Sequence, residues 1–342
     1  MRYRIFFVLL ILLKLTACSE YTEHQESDIV VFDRFLSEVT VSDDKNPIDI
    51  ASTYQSEDKL FDAVLAIQRN HWLKAIKELT PYAEKKDPDA LFWLAQISYG
   101  SNPTENIKAG KMMLESAQLG NPYAALMFDP DNITCQMYFS RYCDKKWVRE
   151  AKSILAKQAE KGDVRAIFYT KKFKGNHDVY INAIIDAAKN NYYYPIVEYA
   201  NNILKNKELN EDSKLLAYKL LKYAKHNNFI PAFNSLISYE MKNRGENSKE
   251  LQALLSDGIV IGADSAWKRK MILTINDPSL SHYDKYIIAK AAYILNRDKL
   301  GISVIHTIQD RNKLNQANKK AQEIVDSIPE IIYIDGTHPM VD

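Results

Sequence analysis

Small apolar residues recur in a fixed frame along the chain. Ala75, Ala83, Lys86 and Ala90 stand at offsets 0, +8, +11 and +15. Ala109, Ala117, Gly120 and Ala124 repeat those offsets, as do Ala151, Ala159, Gly162 and Ala166, and eleven of these twelve positions are Ala or Gly. Eight helical steps return to within about 80° of the start, so positions 0 and +8 share a face on which a neighbouring helix can approach closely. The residue at +11 follows the last turn, where a left-handed cap costs least in a residue without Cβ. Pro88 and Pro122 suit the first turn of the next helix. Beyond them lie apolar runs, Leu91 to Ala95 and Ala125 to Phe128, that read as partner helices. Each unit therefore predicts a helical hairpin. Weaker copies run from Ala187 to Pro195 and from Tyr223 to Pro231, with another from Leu254 to Ala263. The steps between successive Ala83-type positions are 34, 42, 29 and 36 residues, an irregular period. The pattern predicts an all-α solenoid of helical hairpins over 58–265. A C-terminal helical cap and tail over 266–342 follows, with helices at 282–296 and 308–328. Ile331 to Ile334 is too short and isolated to assign.

The stretch Ala109-Gly-Lys-Met-Met-Leu-Glu-Ser-Ala117-Gln-Leu-Gly120-Asn-Pro-Tyr-Ala124 resembles the second helix and following turn of the Sel-1-like repeat family, relatives of the tetratricopeptide repeat. Leu94 to Gly100 is similar to the end of that family's first helix. The Gly-rich loop typical of the family is reduced to Gly100-Ser-Asn-Pro103 and has no later copy.

The N-terminus carries a second resemblance. Arg2 and Arg4 precede the apolar run Ile5 to Leu13, which is too short to span a bilayer and reads as a signal peptide over residues 1–18. Its end, Leu15-Thr-Ala-Cys18, resembles the bacterial lipoprotein signal, which implies a lipidated Cys18 and a protein anchored to the membrane through that lipid. Ser19 after the cysteine resembles lipoproteins sorted to the outer membrane, facing the periplasm. Residues 19–57 are acidic and read mainly as a tether, within which Ile29 to Phe32 and Phe35-Leu36 leave open a short docked helix.

Charge removes one class of partner. Loss of Arg2, Arg4 and Lys14 with the signal leaves 42 basic against 44 acidic side chains, which argues against nucleic acid. With Cys18 lipidated, Cys135 and Cys143 are the remaining pair in a compartment that permits disulfides. Eight residues of straight helix span about 12 Å, so a bridge requires the chain to bend between 129 and 144, where Asp129-Pro-Asp-Asn132 reads as a turn. Two reduced, packed thiols are the alternative.

No Gly-x-Ser-x-Gly, His-Glu-x-x-His, phosphate loop or Cys-x-x-Cys occurs, and no catalytic, metal or cofactor residue is assigned. The seven histidines lie far apart in sequence, which leaves only a site assembled from distant segments. Among 21 tyrosines, Tyr138, Tyr142, Tyr193 and Tyr194 fall at loops and are the candidate partner-binding anchors, whereas Phe92, Trp93, Phe168 and Phe233 read as core. The resulting expectation is a lipid-anchored envelope protein that binds another protein through a helical-repeat surface, as scaffold or adaptor. Degenerate repeat lipoproteins of this kind also resemble periplasmic immunity proteins that neutralise type VI secretion effectors such as phospholipases. A cell-wall-acting enzyme is the remaining alternative.

Overall fold

The computed structural model describes residues 21–39, 54–245, 248–301, 304 and 308–339. Among them are 17 α-helices and no strand. In chain order these are α1 (Ser27–Glu38), α2 (Phe61–Gln68), α3 (Trp72–Glu84), α4 (Pro88–Ser98), α5 (Pro103–Gln118) and α6 (Pro122–Leu126). Then come α7 (Ile133–Tyr138), α8 (Lys145–Glu160), α9 (Val164–Lys172), α10 (His177–Lys189), α11 (Tyr194–Lys205) and α12 (Glu211–His226). The last five are α13 (Ile230–Asn243), α14 (Lys249–Val260), α15 (Asp264–Asn276), α16 (His282–Asn296) and α17 (Arg311–Asp326). From α2 onward most helices pack chiefly on their chain neighbours, so the body is a succession of helical hairpins.

One backbone device makes the turns between many of these helices. Asn70, Lys86, Gly120, Gly162, Asn191, Asn228 and Gly262 all have positive φ, and from Lys86 onward the steps are 34, 42, 29, 37 and 34 residues. In each case the next residue's N–H reaches back to a carbonyl five residues earlier. The series runs from His71 N to Ala66 O through Asn121 N to Ser116 O and on to Ala263 N to Gly258 O, at 2.8–3.2 Å. This six-to-one bond satisfies a carbonyl that the helix end would otherwise leave unpaired. After three of the turns an acid or amide caps the following helix: Asp87 accepts from Ala90 N, Asn121 from Ala124 N and Asp163 from Ala166 N. Later turns keep the bond and lose the cap, with Phe229 and Ala263 at the corresponding position.

The small-residue frame is a packing frame. Ala75, Ala109, Ala117 and Ala151 are 0% exposed, as are Ala90, Ala124 and Ala166 on the partner helices. Ala83 and Ala159 are half-buried. Phe92, Trp93, Phe168 and Phe233 are core, as their spacing predicts. The array also curves back on itself: Asn70 Nδ2, at the first of these turns, donates to Asn296 O at 3.4 Å. Arg69 lies 3.7 Å from Glu330.

The tether expected over 19–57 needs correction where it is described. Helix α1 docks on α10 and α12, burying Phe32 and Phe35 in the largest core cluster. Two buried aromatics outweigh the acidic composition that suggested an extended chain, because each contributes about 2–3 kcal/mol on burial. The docked helix left open in the sequence is what forms, whereas 40–53 and Cys18 lie outside the described residues. No helix among the described residues is long and apolar enough to cross a membrane.

Candidate functional site

Two polar centres hold the ends of the described chain against the hairpins. The first is built on α1. Asp28 is buried, and its carboxylate accepts hydrogen bonds from Gln25 N at 2.8 Å, Tyr199 Oη at 2.7 Å and His177 Nε2 at 2.8 Å. The other nitrogen of His177, Nδ1, lies 2.9 Å from the carbonyl oxygen of Tyr21. Facing an acceptor on each side, this ring satisfies both only as an imidazolium. Burial would lower the pKa of His177, but Asp28 outweighs it and raises it; the same partners, with His24, hold Asp28 at about 2 against the desolvation that pushes it up.

His24 completes this centre. Its Nδ1 lies 2.6 Å from Tyr199 Oη and its Nε2 lies 2.8 Å from Ser213 Oγ. Because Tyr199 donates its hydroxyl proton to Asp28, its oxygen is left to accept from His24 Nδ1, and the ring links Tyr199 to Ser213. Serine, histidine and aspartate thus come together from residues 213, 24 and 28, the kind of distant assembly that the sequence left open. The order resembles a hydrolytic relay, but Ser213 is 1% exposed and no substrate carbonyl can reach Oγ while α1 is docked. The geometry is that of a clasp.

The second centre is the segment 328–339, and it crosses helices from separate hairpins. Gln68 on α2 clamps its backbone: Nε2 donates to Ile331 O at 2.8 Å, and Oε1 accepts from Tyr333 N at 2.7 Å and Ile334 N at 3.2 Å. Ile332 and Ile334 are 0% exposed in the core cluster that contains Phe92 and Trp93, and Ile331 enters the other large cluster. Gly336 then passes flat against Tyr123 of α6, where a Cβ would overlap the ring. Thr337 shares a hydrogen bond of 3.1 Å with Tyr192, just before α11, and His338 stacks on Tyr194 with ring centroids 3.6 Å apart.

Charge closes this second centre. Asp335, 0% exposed, turns the chain: its Oδ1 accepts from Thr337 N at 2.8 Å, Thr337 Oγ1 at 2.6 Å and His338 N at 2.7 Å. His338 places Nδ1 3.2 Å from Asp335 Oδ1 and Nε2 3.9 Å from Glu198 Oε2. Burial would push Asp335 up, but His338, Arg165 and Thr337 hold it at about 2. Burial would also lower His338, and the two carboxylates instead raise it to about 9. Asp335 Oδ2 and the Tyr123 hydroxyl are buried without a hydrogen-bond partner.

The residues assigned from sequence fall elsewhere or turn inward. Tyr193 and Tyr194 were expected at a loop surface; they are 2% and 9% exposed, packed on Phe229, and thus act as core rather than free anchors. The left-handed turn at Asn191 folds them under the start of α11, which the apparent loop concealed. Tyr138 and Tyr142 are half-buried, against Tyr99 and Phe128 respectively. Cys135 and Cys143 form a disulfide with their Cα atoms 6.0 Å apart, and the chain between them bends through a short 3-10 turn, Ser140–Tyr142. The short helix that carries Cys135 presents two side chains not singled out from sequence, Ile133 at 69% and Met137 at 65% exposure. Their signal was present: they stand four residues apart on one short helix and share a face opposite the buried Cys135. Lys145 pairs with both Asp129 and Asp131. No group of three metal-ligating side chains gathers among the described residues. The chain matches no protein-family model, and no curated protein is significantly similar to it.

Proposed function

We propose that this chain is a protein-binding module of the bacterial envelope, held there by lipid on Cys18, with a degenerate Sel-1-like, tetratricopeptide-like array as its binding surface. Its action is stoichiometric: a row of hairpins offers side chains from several helices at once, and the anchor restricts where the partner is met. The observation that carries this reading is the turn device repeated through the hairpins, because it builds an array in which most helices pack chiefly on their chain neighbours, the architecture of repeat proteins that bind through their surface. Large apolar side chains left exposed, Leu73 at 85% with Ile133 and Met137, offer apolar contact area to a partner.

The test is an affinity capture with acyl-free residues 19–342 from envelope extract. Recovery of one stoichiometric envelope component supports the scaffold or adaptor reading. A secreted toxic effector as the captured protein would support the immunity reading. Turnover of wall fragments or lipid by the purified protein, lost in Ser213→Ala and with no protein partner recovered, would overturn both in favour of the enzyme reading.

A further inference from the structure

We propose that the groove holding residues 328–339 is a receptor for an extended segment of a partner protein, and that the chain's own segment is a built-in competitor for it. The partner segment would carry two aliphatic residues at alternate positions followed by an acid and a glycine. The inference rests on the protein-binding reading above and assigns that function to one surface.

Four features of the groove define what it takes. Gln68 reads backbone and not side chains, offering one donor and two acceptances to any extended chain, as an added strand would. The fully buried Ile332 and Ile334 show two apolar sites spaced for alternate residues of an extended segment. Arg165, within electrostatic reach of Asp335, favours an acid at the next position. The Tyr123 ring excludes any side chain at the position after it. These contacts come from α2, α6 and α9, in separate hairpins, so the site exists only in the assembled array.

The resident segment leaves part of this site unused. The Tyr123 hydroxyl is buried and finds no hydrogen bond, so a segment with a donor or acceptor here binds better than the chain's own. The resident segment also has no helix or ladder of its own over 329–335, so its release is a local event rather than the unfolding of an element.

The experiment uses full chains and a labelled peptide of residues 328–339, read by fluorescence anisotropy. Gly336→Ala and Ile334→Asp displace the resident segment without altering any groove residue. Both variants are expected to bind the peptide at least tenfold more tightly than the wild-type chain. A peptide with Asp335→Asn is expected to lose at least tenfold. A peptide pool fixed only at the two aliphatic positions and Asp-Gly should compete, and the pool with Lys in place of Asp should not. Retained helicity in both variants with no peptide bound would overturn the proposal by making the segment a permanent part of the core. Loss of helicity in both would overturn it for the same reason. Wild-type chain that dimerises by exchanging this segment would show a second copy, not a partner, as the occupant. A partner captured by a chain that fails the peptide test would leave the binding function standing and move it to the outer surface.

Discussion

Replacing Asp28 by Asn keeps the size of the side chain and removes the charge on which the N-terminal clasp is built. The carboxylate accepts three hydrogen bonds of 2.7–2.8 Å, two of them from side chains on α10 and α11. An amide in its place turns an NH₂ group toward a donor whichever way it is oriented, and leaves the His177 imidazolium without its counter-ion. The magnitude follows from proton affinity. Asp28 sits at about 2 against an ordinary 3.8, which at about 1.36 kcal/mol per tenfold change is about 2 kcal/mol of stability at neutral pH. Loss of the His177 proton in the variant limits the cost, which would otherwise reach the 3–5 kcal/mol of a broken buried pair. The sign fixes the pH window. The Asp28 contribution is present above 3.8 and is lost as pH falls through about 2. The His177 contribution is full below about 6.5 and is lost as pH rises through that group's raised value. Amide hydrogen exchange over 27–38 reads the effect, with α16, which packs in a separate core cluster, as internal reference. About 2 kcal/mol corresponds to roughly thirty-fold faster exchange in Asp28→Asn near neutral pH. Equal protection of α1 in both chains would refute the clasp.

Other parts of the fold make separate predictions. Ala117, fully buried at the contact between helices, should tolerate no bulk: Ala117→Trp is expected to cost about 1–3 kcal/mol, and an unchanged melting temperature would contradict the packing frame. Lys86 holds a left-handed φ of 61° that glycine adopts more cheaply, so Lys86→Gly should raise stability in urea by about 0.5 kcal/mol, its exposed pair with Glu115 counting for little. His338, raised to about 9, stabilises the docked 328–339 segment below about 6.5 and loses that contribution as pH rises through 9; exchange over 331–335, corrected for intrinsic rate, should accelerate there. Reduction of the Cys135–Cys143 bond should cost about 2–3 kcal/mol and open 129–144 to protease while the flanking helices stay intact.

The sequence was most legible where residue type and backbone need coincide. At Gly120 and Gly162 the turn demanded a left-handed residue and the chain supplied glycine, so the hairpins could be read directly. At Asn191 and Asn228 the same turn is made by asparagine, which tolerates that conformation through local hydrogen bonding, and the copy looked weak. At Lys86 nothing in the residue announces the turn. Helix α16, His282–Asn296, falls where its apolar spacing placed it. Tyr193 and Tyr194 mark the opposite case, since a tyrosine at a helix start reads alike whether it faces solvent or the next hairpin.

Local spacing by itself therefore determined that this chain is helical, that its helices come in pairs, and which small residues let the pairs nest, because each depends on neighbours within about fifteen positions. The tertiary structure alone decided how the two ends are used. His24 and Tyr199, Asp28 and Tyr199, or Gln68 and Ile334, are separated by more than 150 positions, and only the curvature accumulated over successive hairpins brings them within hydrogen-bond reach. A tetrapeptide such as Ile331 to Ile334 carries no periodicity of its own, so its place became visible only once the groove that buries it had been assembled.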